Sequence, residues 1–161
     1  MPQSASTMTV TCQDEEQTVL WADRLSHLLQ PEDIIALNGN LGAGKTRFVK
    51  AIAASLGIEE TSVSSPTYTI VQSYAGQLLL HHFDLYRIKE EEELYESGCD
   101  EFLEGGGVCL IEWANRFPDF LPDDYLEVSF EFTSENSREL TLCSFGSRHE
   151  RIINSLKAFL S

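Results

Sequence analysis

Positive charge is scarce in this chain. Only 11 Lys plus Arg stand against 26 Asp plus Glu, which gives a formal net charge of −15. Proteins that grip nucleic acid with their own surface rely on clustered Lys and Arg, so this composition argues against that class. If the protein serves a reaction on RNA, we expect it to act through protein partners and to reach the RNA only indirectly.

Long hydrophobic runs and paired cysteines are also missing. No apolar stretch approaches the roughly 18 residues that a membrane-spanning helix needs. The first residues lack the basic region and the apolar run of a signal peptide. The four cysteines have neither zinc-site spacing nor a C-x-x-C pair. We therefore expect a cytoplasmic protein with no membrane association.

The length and the pattern of apolar residues predict one α/β domain. The 161 residues suit a single domain over residues 1–161, in which the polar residues 1–7 are expected to be disordered. Alternating and continuous apolar runs predict strands at 7–12, 34–37, 69–74, 77–83, 108–111, 125–132 and 138–145. Helical periodicity is present between these runs. Mixed strands and helices favour an α/β sandwich around one sheet.

Two signals bound the first predicted helix. Thr11, followed three residues later by Asp14, predicts a capping box at its start. Pro31 is expected to end it, because proline cannot continue a helix. The second predicted helix follows a glycine-rich turn, and Gly57 is expected to close it.

That glycine-rich turn matches the Walker A pattern G-x-x-x-x-G-K-[ST]. It runs from Gly39 to Thr46, after an apolar strand and before an amphipathic helix. Its glycines allow the backbone N–H groups to point inward at phosphate oxygens. Lys45 would bridge the outer phosphates, and the Thr46 hydroxyl would hold Mg²⁺. The sequence therefore predicts a P-loop protein that binds a nucleotide together with Mg²⁺.

A P-loop site also needs an acidic residue at the end of a neighbouring strand to hold Mg²⁺. Asp84 ends the run 78–84, and Glu112 ends the run 108–112. Either carboxylate would lie at the edge of an open parallel sheet beside the phosphates, so both remain candidates. The loop at 65–67 stands where GTPases carry a mobile switch threonine, which makes Thr67 a further candidate. His82 is ambiguous, because a lone histidine is more often packed or hydrogen-bonded than catalytic.

Four segments together resemble the TsaE (YjeE) family of bacterial proteins. They are residues 41–46 (L-G-A-G-K-T), 65–68 (S-P-T-Y), 82–87 (H-F-D-L-Y-R) and 111–113 (I-E-W), in this order. The resemblance runs from the Thr11 region through Arg138. It implies a single P-loop NTPase-like domain with a mixed, mostly parallel sheet of about seven strands flanked by helices.

The resemblance also implies a function. Members of this family are ATPases in the synthesis of threonylcarbamoyladenosine next to the tRNA anticodon, and they work with the TsaB–TsaD heterodimer. ATP and Mg²⁺ are the implied cofactors, and tRNA is reached only through the complex.

Matched residue by residue, the resemblance implies roles for individual side chains. Thr46 and Glu112 would be the magnesium ligands, while Lys45, Asp84 and Thr67 would serve catalysis. The residues expected to contact the nucleotide are Glu15, Leu41, Gly42, Ala43, Gly44, Lys45, Thr46, Trp113 and Arg138.

Two other classes of P-loop protein remain as alternatives. A small-molecule or nucleotide kinase would usually carry an arginine-rich lid, and the arginines here are dispersed. A GTP-binding switch module would carry an N-K-x-D segment, which the sequence does not contain. Two measurements would separate the three classes. One compares the affinities for ATP and GTP, and the other asks whether the phosphate is transferred to water or to another acceptor.

Overall fold

A computed structural model describes residues 6–40, 42, 44–64, 66 and 69–160. The strands are β1 (Ser6–Cys12), β2 (Ile34–Asn38), β3 (Val71–Ala75), β4 (Leu79–Asp84), β5 (Val108–Glu112), β6 (Tyr125–Phe132) and β7 (Arg138–Phe145). The α-helices are α1 (Glu15–Ser26), α2 (Lys45–Ser55), α3 (Glu92–Glu96) and α4 (Ser147–Lys157). Short 3₁₀ turns span Glu60–Ser62, Cys99–Glu104, Ala114–Arg116 and Pro118–Phe120.

The strands of the described residues form one seven-stranded sheet in the order β1-β7-β6-β2-β5-β4-β3. The central pairs β6–β2, β2–β5 and β5–β4 are parallel. The pairs β1–β7, β7–β6 and β4–β3 are antiparallel. The predicted mixed α/β sheet is therefore confirmed. Parallel pairs make up half of it rather than most of it, because the β3–β4 and β6–β7 hairpins add antiparallel strands on both sides.

Both faces of the sheet are covered, which explains the continuous apolar runs of its centre. Every residue of β2 and β5 is buried, as expected for parallel strands between two layers. Apolar residues of α1, α2 and α4 pack on one face, together with side chains such as Leu110. Residues of α3 and of the 3₁₀ turns that follow it pack on the other, together with Ile111. Within the described residues, no helix combines the length and the apolar content needed to cross a membrane.

The first strand begins earlier than predicted. Ser6 and Thr7, which were expected to be disordered, pair with Ser144 and Cys143 of β7. The exposed side chains of β1 made this end look like a polar tail, but backbone pairing does not require apolar side chains. Residues 1–5, the rest of that prediction, lie outside the described residues.

The ends of α1 also differ from the prediction. Asp14 is the N-cap, and its side chain accepts a hydrogen bond from the Gln17 backbone N–H at 2.9 Å. Gln17 in turn accepts from the Gln13 backbone N–H at 2.8 Å, so these two hydrogen bonds stand in place of the predicted Thr11–Asp14 box. The helix ends at Ser26, before Pro31, and the Ser26 hydroxyl donates to the carbonyl of Asp23 at 2.6 Å.

The β3–β4 hairpin is displaced by about two residues from the predicted runs. Ile70 has a positive φ of 69°, and its N–H donates to the Pro66 carbonyl at 2.7 Å. This turn holds residues 69–70 outside the strand. At the tip, the Gly76 N–H donates to the Leu78 carbonyl at 3.2 Å, so β4 begins at Leu79 and extends to Asp84.

Candidate functional site

The glycine-rich turn leads from β2 into α2 at the edge of the sheet where the parallel strands β2, β4 and β5 end. Gly42 and Gly44 have φ of 80° and 103°, a left-handed conformation that favours glycine. The first turn of α2 follows directly, and its N–H groups lack partners inside the helix. Such a helix start attracts anions. Leu41 and Ala43, which were also predicted to contact the nucleotide, lie outside the described residues.

Lys45 is folded into the turn rather than extended into solvent. Its Nζ donates to the Gly39 carbonyl at 2.5 Å and lies 3.3 Å from the centroid of the Trp113 ring. Burial lowers the pKa of Lys45, and the nearby carboxylates of Glu112 and Asp84 act in the opposite direction without reversing the shift. The side chain thus places a cation beside two acidic groups, with a carbonyl oxygen and an aromatic face as its direct partners.

Thr46 and Glu112 meet across 66 residues of sequence. The Thr46 hydroxyl lies 3.2 Å from both carboxylate oxygens of Glu112. Glu112 ends β5, which lies beside β2, and Thr46 is in the first turn of α2. Glu112 is only 3% exposed. The P-loop hydroxyl and this strand-end carboxylate therefore form one oxygen-rich centre.

Asp84 ends the adjacent strand at the same level. It is the register partner of Glu112 in the parallel β4–β5 pair and is 5% exposed. One of its carboxylate oxygens accepts from the Tyr86 backbone N–H at 3.0 Å. The two carboxylates that the strand pattern alone left as candidates, and of which the resemblance assigned Glu112 to the metal, are thus neighbours. The Glu112 carboxylate is within hydrogen-bond distance of the Thr46 hydroxyl.

Trp113 follows β5 in an unusual backbone conformation. Its φ is 65°, and its N–H donates to the Leu37 carbonyl at 3.1 Å. A bulky residue rarely adopts this region, and such strain is concentrated at functional sites. The turn brings the indole over Lys45 and within 5.1 Å, centroid to centroid, of the Tyr86 ring.

Arg138, at the start of β7, lies against the P-loop. A Cβ added to Gly44 would collide with Nη1 of Arg138, so the guanidinium group occupies the space that glycine leaves open. The guanidinium group also lies 5.3 Å from the centroid of the Phe132 ring. The contact of Arg138 with the nucleotide stays a prediction.

Glu15 is tied to α2 by an ion pair. Its carboxylate accepts from Nε of Arg47 at 2.5 Å, and Arg47 also donates to Glu60 at 2.9 Å. Arg47 directly follows Thr46, so Glu15 lies near the start of the P-loop helix, but its partner in the structure is Arg47. Thr67 and its neighbours Ser65 and Tyr68 lie outside the described residues.

Comparisons with known proteins identify the family. A family model described as "Threonylcarbamoyl adenosine biosynthesis protein TsaE" matches residues 12–140. The chain belongs to the TsaE family. The matched range contains every predicted site residue.

Curated relatives match over most of the chain. A tRNA threonylcarbamoyladenosine biosynthesis protein TsaE of Bacillus subtilis is 39% identical over 142 residues, which are 88% of each protein. The protein of the same name from Rickettsia conorii is 41% identical over 141 residues, 87% of this chain and 78% of the relative. The crystal structure of Bacillus subtilis YdiB superposes with a TM-score of 0.81 at 32% identity and covers 97% of both chains.

Two features of this TsaE family member were not assigned from sequence. Arg47, which binds both Glu15 and Glu60, belongs to no motif, although it directly follows the last residue of the Walker A pattern, Thr46. His82 was recognised but not assigned a role. Its ring Nε2 lies 2.5 Å from Oε2 of Glu112, a contact that depends on the pairing of β4 with β5.

Proposed function

We propose that this chain is a cytoplasmic Mg²⁺-dependent ATPase that acts in threonylcarbamoyladenosine modification of tRNA. Membership of the TsaE family supports a role in this modification, since the family and its relatives are named for threonylcarbamoyladenosine biosynthesis. The ATPase activity is supported by one observation above all. The P-loop Thr46 hydroxyl contacts the strand-end carboxylate of Glu112 beside the buried Lys45.

The individual side chains have distinct roles in this proposal. The P-loop backbone, including Leu41, Gly42, Ala43 and Gly44, and the first turn of α2 bind the phosphates through N–H groups. Lys45 leaves the Gly39 carbonyl and the Trp113 face to neutralise the outer phosphates. Asp84, next to Glu112, serves hydrolysis.

The remaining assignments complete the nucleotide site. Thr67 responds to the terminal phosphate, and Trp113 lines the side of the site occupied by Lys45. Glu15 and Arg138 approach the nucleotide from α1 and β7. Arg138 has the more direct support, because its guanidinium group lies against Gly44.

The donor groups fit Mg²⁺. Thr46 and Glu112 offer hydroxyl and carboxylate oxygens, which are the ligands this hard cation prefers. Among the described residues, no cluster of three or more His, Cys, Asp or Glu could hold a metal ion. Mg²⁺ in phosphate-transfer sites is commonly held by one or two carboxylates together with substrate phosphates. Bound there, Mg²⁺ would neutralise charge that develops on the phosphate oxygens.

Calorimetry tests nucleotide binding directly. We expect ATP with Mg²⁺ to bind the unaltered chain, GTP to bind less tightly, and Lys45→Ala to weaken ATP binding because a cation is removed from the phosphates. Lys50→Ala is the matched control, since Lys50 lies in the same helix but outside the site. Equal ATP affinity in Lys45→Ala and Lys50→Ala would refute the assignment. Release of free phosphate, rather than transfer to an acceptor, separates an ATPase from a kinase.

The partner is proposed to be the TsaB–TsaD heterodimer. A net charge of −15 would repel the phosphate backbone of RNA, so tRNA is reached through the complex. A pull-down of TsaB–TsaD with the chain should depend on the bound nucleotide. Equal capture with ATP, with ADP and without nucleotide would contradict a nucleotide-dependent role.

A further inference from the structure

His82 lies on the buried side of the oxygen-rich centre formed by Thr46 and Glu112. Side chains alternate along a strand, so Leu80, His82 and Asp84 of β4 share one face, and Leu80 packs in the core beside α2. His82 has no exposed surface. It therefore lies one step deeper in the protein than Asp84.

The imidazole makes one polar contact and leaves its second nitrogen without one. His82 Nε2 is 2.5 Å from Oε2 of Glu112. Because a carboxylate accepts hydrogen bonds, Nε2 is the donor. Within the described part of the chain, the buried Nδ1 has no hydrogen-bond partner.

An unpaired buried polar atom is costly, and it calls for an explanation. A residue that only filled the core would be apolar at this position, like its strand neighbour Leu80. The hydrogen bond to Glu112 is the feature that an apolar residue could not supply. This bond restrains the carboxylate from its buried side, while both carboxylate oxygens remain within 3.2 Å of the Thr46 hydroxyl.

We propose that His82 is a positioning residue for Glu112. Its Nε2–H holds one carboxylate oxygen, so the carboxylate is already oriented toward Thr46 and the cation before the nucleotide arrives. Groups that orient a metal ligand in this way typically change metal affinity by about 10- to 100-fold. The inference rests on the proposed Mg²⁺–nucleotide site, and it deepens that proposal.

The test measures how strongly Mg²⁺ increases the affinity for a non-hydrolysable ATP analogue. Calorimetric titrations with and without Mg²⁺ give this ratio for the unaltered chain, His82→Leu and His82→Gln. We expect His82→Leu to reduce the ratio about tenfold with little change in Mg²⁺-free affinity. His82→Gln should recover most of it, because the glutamine amide reaches the same distance as Nε2.

His81 provides a matched control on the same strand. Its Nδ1 lies 2.7 Å from the Ser73 hydroxyl on β3, so it is bonded to another partner. His81→Gln should leave the ratio unchanged. An unchanged ratio in His82→Leu, or equal losses in His82→Leu and His82→Gln, would overturn the proposal.

A measurement on the unaltered protein does not depend on how the variants fold. Nitrogen-15 NMR of the imidazole should show a proton on Nε2 of His82 in the absence of metal and nucleotide. A proton on Nδ1 alone would overturn the proposal, because Nε2 could not then donate to Glu112. If the unaltered chain shows no effect of Mg²⁺ on nucleotide affinity, the proposed function fails as well. If it does show that effect and the His82 variants match it, only the positioning role fails.

Discussion

Arg148 holds α4 to the end of the sheet opposite the P-loop, and its removal gives a sharp prediction for stability. Its Nε and Nη2 donate to the two carboxylate oxygens of Asp33 at 3.0 and 2.7 Å. Nη2 also donates to the Leu28 carbonyl at 2.8 Å. The Asp33 side chain is 3% exposed, against 24% for Arg148, so Arg148→Ala leaves a nearly buried carboxylate without its cation.

The expected loss follows from these contacts. Removing one partner of a buried ion pair costs about 3–5 kcal/mol. The lower end, about 3 kcal/mol, applies here, because Arg148 is partly exposed and the Gln30 N–H still donates to Asp33 at 2.7 Å. In a domain of this size, about 3 kcal/mol corresponds to a fall in Tm of about 6–12 °C.

Urea unfolding followed by circular dichroism measures this loss. Arg151→Ala is the matched control, because Arg151 is an exposed residue of the same helix, and such substitutions change stability by about 0.5 kcal/mol or less. Nucleotide affinity should be unchanged in both variants, since Asp33 precedes β2 whereas the P-loop follows it. A loss below about 1 kcal/mol in Arg148→Ala would refute the reasoning that Asp33 needs this cation.

Three further predictions concern the two carboxylates at the strand ends, the Asp124–His149 contact and RNA. Glu112→Ala should weaken the Mg²⁺ dependence of ATP binding in calorimetry, whereas Asp84→Ala should leave ATP bound and slow phosphate release. If both variants bind ATP and release phosphate as the unaltered chain does, the site assignment is wrong. Burial alone would raise the pKa of Asp124, but hydrogen bonds from the His149 ring and from backbone N–H groups outweigh it, so the pKa is lowered from 3.8. The resulting stability is present above pH 3.8 and is lost as the pH falls through the lower folded value. Asp124→Asn should therefore be less stable than the parent near neutral pH, and the difference should shrink in acid-unfolding curves below about pH 4. The isolated chain should bind unmodified tRNA weakly at physiological salt, and sub-micromolar binding in an anisotropy titration would contradict that expectation.

Local patterns determined most of the secondary structure. The alternation of apolar residues predicted β6 (Tyr125–Phe132) with the observed bounds, because one face of the strand packs on the core. The following segment was predicted as its partner, and β7 (Arg138–Phe145) has those bounds as well. The continuous apolar runs at 34–37 and 108–111 predicted strands, and the structure shows β2 and β5 there as buried parallel neighbours. The predictions were wrong where backbone hydrogen bonds set the limits of a strand, as at Ser6 of β1 and in the turn before β3.

The Walker A motif and the acidic strand ends were visible in the sequence because each lies within a short segment. Their arrangement was not visible, since it depends on which strands are neighbours. Placing β5 between β2 and β4 brings Glu112 to Thr46 on one side and to His82 on the other. Glu15 illustrates the same limit, because its ion pair with Arg47 forms only when α1 packs beside α2.

The sequence by itself determined the family, the α/β class, the P-loop and a short set of candidate carboxylates. These properties depend on residue types at short spacing along the chain, because side-chain chemistry and backbone geometry act locally there. Only the tertiary structure decided that the Glu112 carboxylate contacts the Thr46 hydroxyl and that Lys45 lies on Trp113. Those contacts join residues more than 60 positions apart, and their distances are set by the packing of strands and helices around a shared core.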